Sequence, residues 1–156
     1  LALMTKDTVY IASVGDSRVY LLRENRVIQL SQDQSWVAAQ VKAGLLTSEQ
    51  ARHHPKKNRL TMSLSAKRPD VKPFSTSTKL DEDDIIILCS DGLWGVVPDT
   101  LIQAVAFELP PQEAAEKLVD LANAGQGPDN ISVIIARREG AELQSIFGSE
   151  ADETTP

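Results

Sequence analysis

The sequence has little of what several classes of protein require. Its 156 residues include one cysteine, Cys89, so neither an internal disulfide nor a thiolate metal cage can form within the chain, and the cytoplasm is the expected compartment. No apolar run approaches the ~20 residues of a membrane span. The 16 basic residues are outnumbered by 22 acidic ones, and no basic cluster alternates with aromatic residues. Neither a nucleic-acid groove nor binding to an anionic membrane surface is therefore expected.

What the sequence does contain is the composition of one globular domain. Hydrophobic residues make up 42% of the chain and charged residues 24%, which is enough for a single substantial core. The last residues differ, because Gly, Ser, Glu, Asp, Thr and Pro dominate them and leave too little apolar surface to pack. We therefore expect one domain over residues 1–138 and an acidic flexible tail or linker over residues 139–156.

The apolar pattern predicts a mixture of strands and helices. Four antiparallel strands are expected within the first thirty residues, arranged as a meander, at 1–4, 9–14, 18–22 and 26–30. Helices are expected from Trp36, from a capping box at Thr47, and over 98–109 and 111–125, with further strands over 71–78 and 131–136. The first apolar run starts at Leu1 without a preceding turn. We therefore expect a missing N-terminal portion, whose absence exposes sheet edges that either that portion or self-association covers.

The central feature is a fifth apolar run, Ile85 to Cys89, which ends abruptly in Ser90-Asp91-Gly92. Consecutive β-branched residues favour a strand buried on both faces. Asp91 then lies at the end of a rigid strand, and Gly92 lets a cation or phosphate approach without obstruction. A purely structural interpretation is that Asp91 caps a helix beginning near Val96. The motif alone favours neither interpretation.

Two further aspartates stand at strand boundaries. Asp129 follows a loop rich in Gly and Pro and precedes an apolar strand, and Asp16 lies in the break after the second strand. A carboxylate in such a place needs a cation or hydrogen bonds to offset its desolvation. Together with Asp91 they form an all-oxygen donor set that suits Mg²⁺ or Mn²⁺ better than Zn²⁺. The spacing does not show whether they converge, and Asp16 has an alternative role in a salt bridge or turn bond with Ser17 and Arg18.

Two other clusters suggest metal ligands less strongly. His53 and His54 are adjacent, so on a helix they would point about 100° apart, which favours a solvated flap over a chelate. The run of acidic residues 81–84 is contiguous, which scatters its carboxylates around a turn. We interpret this run as a solvated hairpin turn.

Four motifs, taken in order, resemble the PPM/PP2C family of metal-dependent protein serine/threonine phosphatases in its bacterial form. They are Val14 to Leu21, the flap-like segments Gly44 to Thr47 and His54 to Thr61, Leu88 to Leu93, and Gly127 to Ile131. The resemblance implies an α+β fold, an antiparallel β-sandwich flanked by helices on both faces, present here without its N-terminal strands and first helices. It also implies that Trp36 to Leu64 form a mobile flap beside the active site.

The resemblance also implies the chemistry. Asp91 and Asp129 match two metal-binding aspartates of a binuclear Mn²⁺/Mg²⁺ centre, and Asp16 matches an aspartate at an additional, third metal. In the intact domain a water activated at this centre hydrolyses phosphoserine and phosphothreonine in proteins, which implies substrates of a Ser/Thr kinase. The family's N-terminal block has no counterpart in this sequence, so no catalytic residue beyond the metal ligands is assigned and weak or no activity is expected of this chain alone. The alternative is a non-catalytic phosphatase-like regulatory or binding module.

Overall fold

The computed structural model describes residues 1–66, 70–125 and 129–138. The predicted tail over residues 139–156, and Gly127 and Pro128 of the last motif, lie outside the described residues. The helices and strands of the described part are, in chain order, β1 (Ala2–Met4), β2 (Thr8–Ser13), β3 (Arg18–Arg23), β4 (Arg26–Gln29), α1 (Trp36–Lys42), α2 (Ser48–Arg52), β5 (Phe74–Lys79), β6 (Ile85–Cys89), α3 (Asp91–Trp94), α4 (Asp99–Glu108), α5 (Pro111–Ala124) and β7 (Val133–Arg137).

The strands form two antiparallel sheets. The first has the order β1-β2-β5 and the second the order β4-β3-β6-β7. The predicted meander is therefore wrong, because β1 and β2 belong to one sheet while β3 and β4 belong to the other. The chain changes sheets at Gly15, whose φ of 97° is accessible to glycine at little cost. This crossing places Asp16 at one end of the sandwich, between the two sheets.

The core has two parts, which share β6. Between the sheets, Ile86 packs with residues of β2 and β3, among them Val9 and Leu21. On the other face of β6, Ile85, Ile87 and Cys89 pack in a cluster with residues of α3, α4 and α5. The prediction of a strand buried on both faces is confirmed, and Cys89 at its end is a buried free thiol.

The two antiparallel sheets with packed helices confirm the predicted fold class. Helices α4 and α5 contact each other and, through α5, the edge strand β7, so one outer face of the sandwich is covered. The outer face of the first sheet instead exposes Leu3 and Tyr10, which are register partners on β1 and β2. Within the described ranges, none of the helices is both long enough and apolar enough to cross a membrane.

The acidic run at 81–84 is not a hairpin turn, although its first three residues are exposed as predicted. It joins β5 of the first sheet to β6 of the second, and its last residue, Asp84, is 1% exposed. The Asp84 carboxylate accepts hydrogen bonds from Nε and Nη2 of Arg23, at 2.9 and 2.6 Å, and from the backbone N–H of Asp81 at 2.7 Å. A carboxylate whose hydrogen bonds are satisfied in this way can be buried. The run of acidic residues in the sequence does not by itself reveal that Arg23 is the partner of Asp84.

Candidate metal centre

Asp91 lies at the junction of β6 and α3. It is the first residue of α3, so the helix begins there and not near Val96 as predicted. The N-cap position is taken by Ser90, whose side chain makes no capping hydrogen bond. The interpretation of Asp91 as a capping residue is therefore wrong. Its carboxylate lies at the mouth of the central strand, at the wall of a cavity.

The segment that carries Asp129 is held directly against this junction. The Oγ of Ser90 donates a hydrogen bond to the carbonyl of Asn130 at 3.0 Å. A Cβ on Gly92 would lie 2.5 Å from that same carbonyl oxygen, which is closer than such contacts normally come. Glycine at 92 thus allows the backbone after Asp129 to pass close to the helix that begins at Asp91.

The loop that carries Asp16 is fixed from two sides. The Gly15 N–H donates to Oε1 of Gln34 at 3.0 Å, and the Gln34 N–H donates to the Gly15 carbonyl at 2.8 Å. On the other side, Nε1 of Trp94 donates to the backbone carbonyl of Asp16 at 3.0 Å. The loop is therefore attached both to the segment before α1 and to the end of α3.

The pKa of Asp16 reflects its burial and the carboxylates around it. Burial raises the pKa of Asp16 above its usual range, and the negative charges of Asp91 and Asp33 raise it further. Such a shift means that the charged form is unfavourable in this environment. A bound cation would remove that cost, because it would offset both the desolvation and the repulsion.

Arg18 makes no salt bridge with Asp16 within the described residues, although its positive charge offsets part of the rise that burial causes in the pKa of Asp16. Its guanidinium instead binds the carboxylate of Asp33, with Nη2 2.8 Å from Oδ2, and donates from Nη1 to the Tyr20 hydroxyl at 2.9 Å. Its Cζ lies 3.7 Å from the centroid of the Trp94 ring. Asp33 and Trp94 were not predicted from the sequence as the partners of Arg18.

The three predicted aspartates, Asp16, Asp91 and Asp129, line a single cavity of about 730 Å³. They surround it without meeting at one point: among the described residues, no three His, Cys, Asp or Glu side chains could together hold one ion. Their chemistry nevertheless fits Mg²⁺ or Mn²⁺, since all the donors are carboxylate oxygens and Mg²⁺ is commonly held by one or two carboxylates and several waters. The like-charge repulsion at Asp16 supports the same fit.

The opposite wall of the cavity is the predicted flap. Helix α1 is capped by Ser35, whose Oγ accepts from the Ala38 N–H at 3.2 Å, and α2 begins with the predicted capping box at Thr47. An isolated bridge between Ser35 and Leu60 joins the start of the flap to its second half. Three basic flap residues line the cavity: Lys42, Arg52 and Lys57.

The two histidines lie in the flap, directly after α2. His53 ends α2 and is exposed, and the ring of His54 lies 4.9 Å from that of Trp36. The Nδ1 of His54 accepts a hydrogen bond from the Lys56 N–H at 3.1 Å. Neither histidine lines the cavity, in keeping with the predicted flap.

Comparison with known proteins identifies the class to which this fold and site belong. The family model for protein phosphatase 2C matches residues 1–39 and 53–131. The serine/threonine phosphatase Stp of Listeria welshimeri is 37% identical over 143 residues, which are 88% of this chain and 54% of the Listeria protein. The chain belongs to the protein phosphatase 2C family.

Solved structures agree in fold. The serine/threonine phosphatase PstP/Ppp of Mycobacterium tuberculosis superimposes with a TM-score of 0.83 at 33% identity, covering 89% of this chain and 58% of that one. The catalytic domain of PstP in complex with two manganese ions superimposes with a TM-score of 0.75 at 31% identity, covering 88% and 57%. This chain thus spans about half the length of the relatives it matches.

Proposed function

We propose that this chain provides part of the active site of a protein serine/threonine phosphatase, which hydrolyses phosphoserine and phosphothreonine at a binuclear Mn²⁺ or Mg²⁺ centre. The observation that carries the proposal is that Asp16, Asp91 and Asp129 line one cavity. The metal-bound relative and the family membership support it.

In this proposal Asp91 and Asp129 bind the two cations, and Asp16 contributes to a third. Bound cations of this kind supply a water of lowered pKa and neutralise charge on the phosphoryl oxygens. The protein keeps the ligands in place through rigid backbone, since Asp91 starts α3 directly at the end of β6 and Ser90 attaches the Asp129 segment to the same point.

The substrate in this proposal is a phosphorylated protein, the product of a Ser/Thr kinase. Lys42, Arg52 and Lys57 place positive charge on the flap wall, opposite the aspartates. These basic side chains can attract a phosphate group or the acidic residues around it, while the aspartates hold the metal ions. We also place the protein in the cytoplasm, because its single cysteine is a buried free thiol.

A second function has two observations in its favour. Within the described residues no three potential ligands converge on one point, and the chain spans only about half the length of its relatives. A phosphatase-like module that binds partners without catalysis would have these properties. If the enzyme is the correct interpretation, an N-terminal portion must complete the centre.

Complementation separates the two functions. The chain would be assayed with Mn²⁺ and a phosphothreonine peptide, alone and with the N-terminal half of a PP2C domain supplied as a second polypeptide. We expect slow hydrolysis by the chain alone, a large increase in the complex, and loss of that increase with Asp91→Asn. A complex that forms and binds the phosphopeptide without hydrolysing it would favour the binding module.

A further inference from the structure

Trp94 lies between the core and the candidate metal centre. It is three residues after Asp91 on α3, and residues with this spacing are neighbours on a helix surface. The indole packs against the helical core cluster, yet it also lines the cavity with Asp91. This position lets Trp94 contact the core and the site at once.

The indole nitrogen makes one directed hydrogen bond. Nε1–H donates to the backbone carbonyl of Asp16 at 3.0 Å, across 78 residues of sequence. Tryptophan has a single donor and no acceptor, so this bond uses its whole hydrogen-bonding capacity. The bond joins the loop that carries Asp16 to the helix that carries Asp91.

The orientation of the ring is fixed by a chain of contacts behind it. The Arg18 guanidinium lies 3.7 Å from the ring centroid, and Asp33 binds that guanidinium through charge-assisted hydrogen bonds of 2.8 to 3.2 Å. Asp33 in turn accepts a hydrogen bond from Nε2 of Gln29 at 2.8 Å. The indole therefore cannot rotate without breaking several contacts, and its N–H stays directed at the Asp16 carbonyl.

We propose that Trp94 is a positioning residue that holds Asp16 beside Asp91, so that the two carboxylates act together on a divalent cation. The proposal rests on the metal assignment of the proposed function. Asp16, Asp91 and Asp33 line the same cavity, so their like charges repel one another. An attachment through the backbone carbonyl keeps the loop in place against this repulsion and leaves the carboxylate itself free to bind.

The test is the Mn²⁺ affinity of the 156-residue chain, measured by titration calorimetry. Trp94→Phe keeps an aromatic ring on Arg18 but removes the N–H donor, and we expect Mn²⁺ binding to weaken roughly three- to tenfold, as loss of one hydrogen bond predicts. The matched control is Trp36→Phe, the same substitution at the other tryptophan, which lies in the flap against His54. Its affinity should equal that of the wild type.

A double-mutant cycle shows whether Trp94 acts through Asp16. In an Asp16→Ala background, Trp94→Phe should have no further effect on Mn²⁺ affinity, because the carboxylate that it positions is gone. A merely structural role would weaken binding equally in both backgrounds. That result, or an unchanged affinity of Trp94→Phe in the wild-type background, would overturn the proposal.

Two further measurements keep the outcome clear. If circular dichroism shows that Trp94→Phe is unfolded, Trp94 is replaced by benzothienylalanine, which has the shape of tryptophan without the N–H. We expect the same weakening of Mn²⁺ binding from this replacement. If Asp91→Ala leaves Mn²⁺ affinity unchanged, the metal assignment is wrong, and so is the positioning role of Trp94. If Asp91→Ala weakens binding and the Trp94 variants do not, only the positioning role is wrong.

Discussion

Arg23 and Asp84 form a bidentate ion pair that closes the end of the sandwich opposite the chain's crossing at Gly15. Asp84 is 1% exposed, and Nη2 of Arg23 lies 2.6 Å from its Oδ2. The same guanidinium nitrogen donates to the carbonyl of Lys79, the last residue of β5, at 2.8 Å. A single arginine of β3 thus joins the two sheets at the point where the chain passes from β5 to β6.

We expect Asp84→Ala to lower the free energy of unfolding by about 2–3 kcal/mol, because it leaves the Arg23 guanidinium and the Asp81 N–H without their buried acceptor. Urea unfolding followed by circular dichroism measures the change. The matched control is Asp81→Ala, which also removes a carboxylate 2.8 Å from Arg23, but one that is 65% exposed. This variant should lower the free energy of unfolding by no more than about 1 kcal/mol. Equal losses of stability in the two variants would contradict the role given to burial.

Gly92→Ala tests the close approach of the Asp91 and Asp129 segments. The new Cβ would lie 2.5 Å from the Asn130 carbonyl, so the segments must move apart. We expect Mn²⁺ affinity to fall by about tenfold or more, as a displacement of one ligand segment implies. Calorimetric titration measures this.

The control for Gly92→Ala is Gly44→Ala. At Gly44 an added Cβ meets nothing within 4 Å, but its φ of 71° makes alanine strained. This variant should lose about 1 kcal/mol of stability and keep its Mn²⁺ affinity. Unchanged Mn²⁺ binding by Gly92→Ala would show that the two segments need not lie so close.

The sequence predicted those parts of the structure that depend on local pattern. The burial of β6 on both faces follows from its apolar run, and the capping box at Thr47 follows from the residues at its two ends. It did not reveal which sheet each strand joins, because β1–β2 and β3–β4 are both locally plausible hairpins. Only packing between the sheets, with Val9 against Val19, separates a sandwich from a meander.

The candidate site was predictable to a similar degree. Asp16 and Asp91 were identified from their places at strand ends, and their proximity follows from the way the chain crosses between the sheets. The contacts that hold them were not predictable. Trp94 bonds to a carbonyl 78 residues earlier in the sequence, and no local spacing encodes such a contact.

Asp16 should make the stability of the metal-free protein depend on pH. Its pKa is raised in the folded state, so between the unfolded and folded pKa values the folded state binds more protons, and stability falls as pH rises through that window. Asp16→Asn removes this effect. We expect the variant to equal the wild type well below pH ~4 and to be more stable at neutral pH.

Urea unfolding in EDTA at a series of pH values measures this difference. Added Mn²⁺ should make the wild type more stable than Asp16→Asn at neutral pH, because the cation stabilises the wild type by binding to the folded state. A wild type that is more stable than Asp16→Asn at pH 7 without metal would contradict the assigned repulsion.

The last prediction concerns the outer face of the first sheet. Leu3 and Tyr10 lie side by side on it, 59% and 50% exposed, next to Leu1 at 81%. Apolar residues grouped on a sheet face favour contact with another protein surface. We therefore expect the isolated chain to self-associate through this face, and to do so less when an N-terminal half-domain is supplied.

Light scattering at several protein concentrations measures the association. Replacing Leu3 and Tyr10 together by Ser should shift the chain towards monomer, because the substitutions remove the apolar area that association would bury. Leu64→Ser is the matched control, since Leu64 is 79% exposed but belongs to the flap and not to this sheet. If Leu64→Ser disperses the oligomer and the double variant does not, association runs through the flap, and the sheet face is not the surface that a companion chain covers.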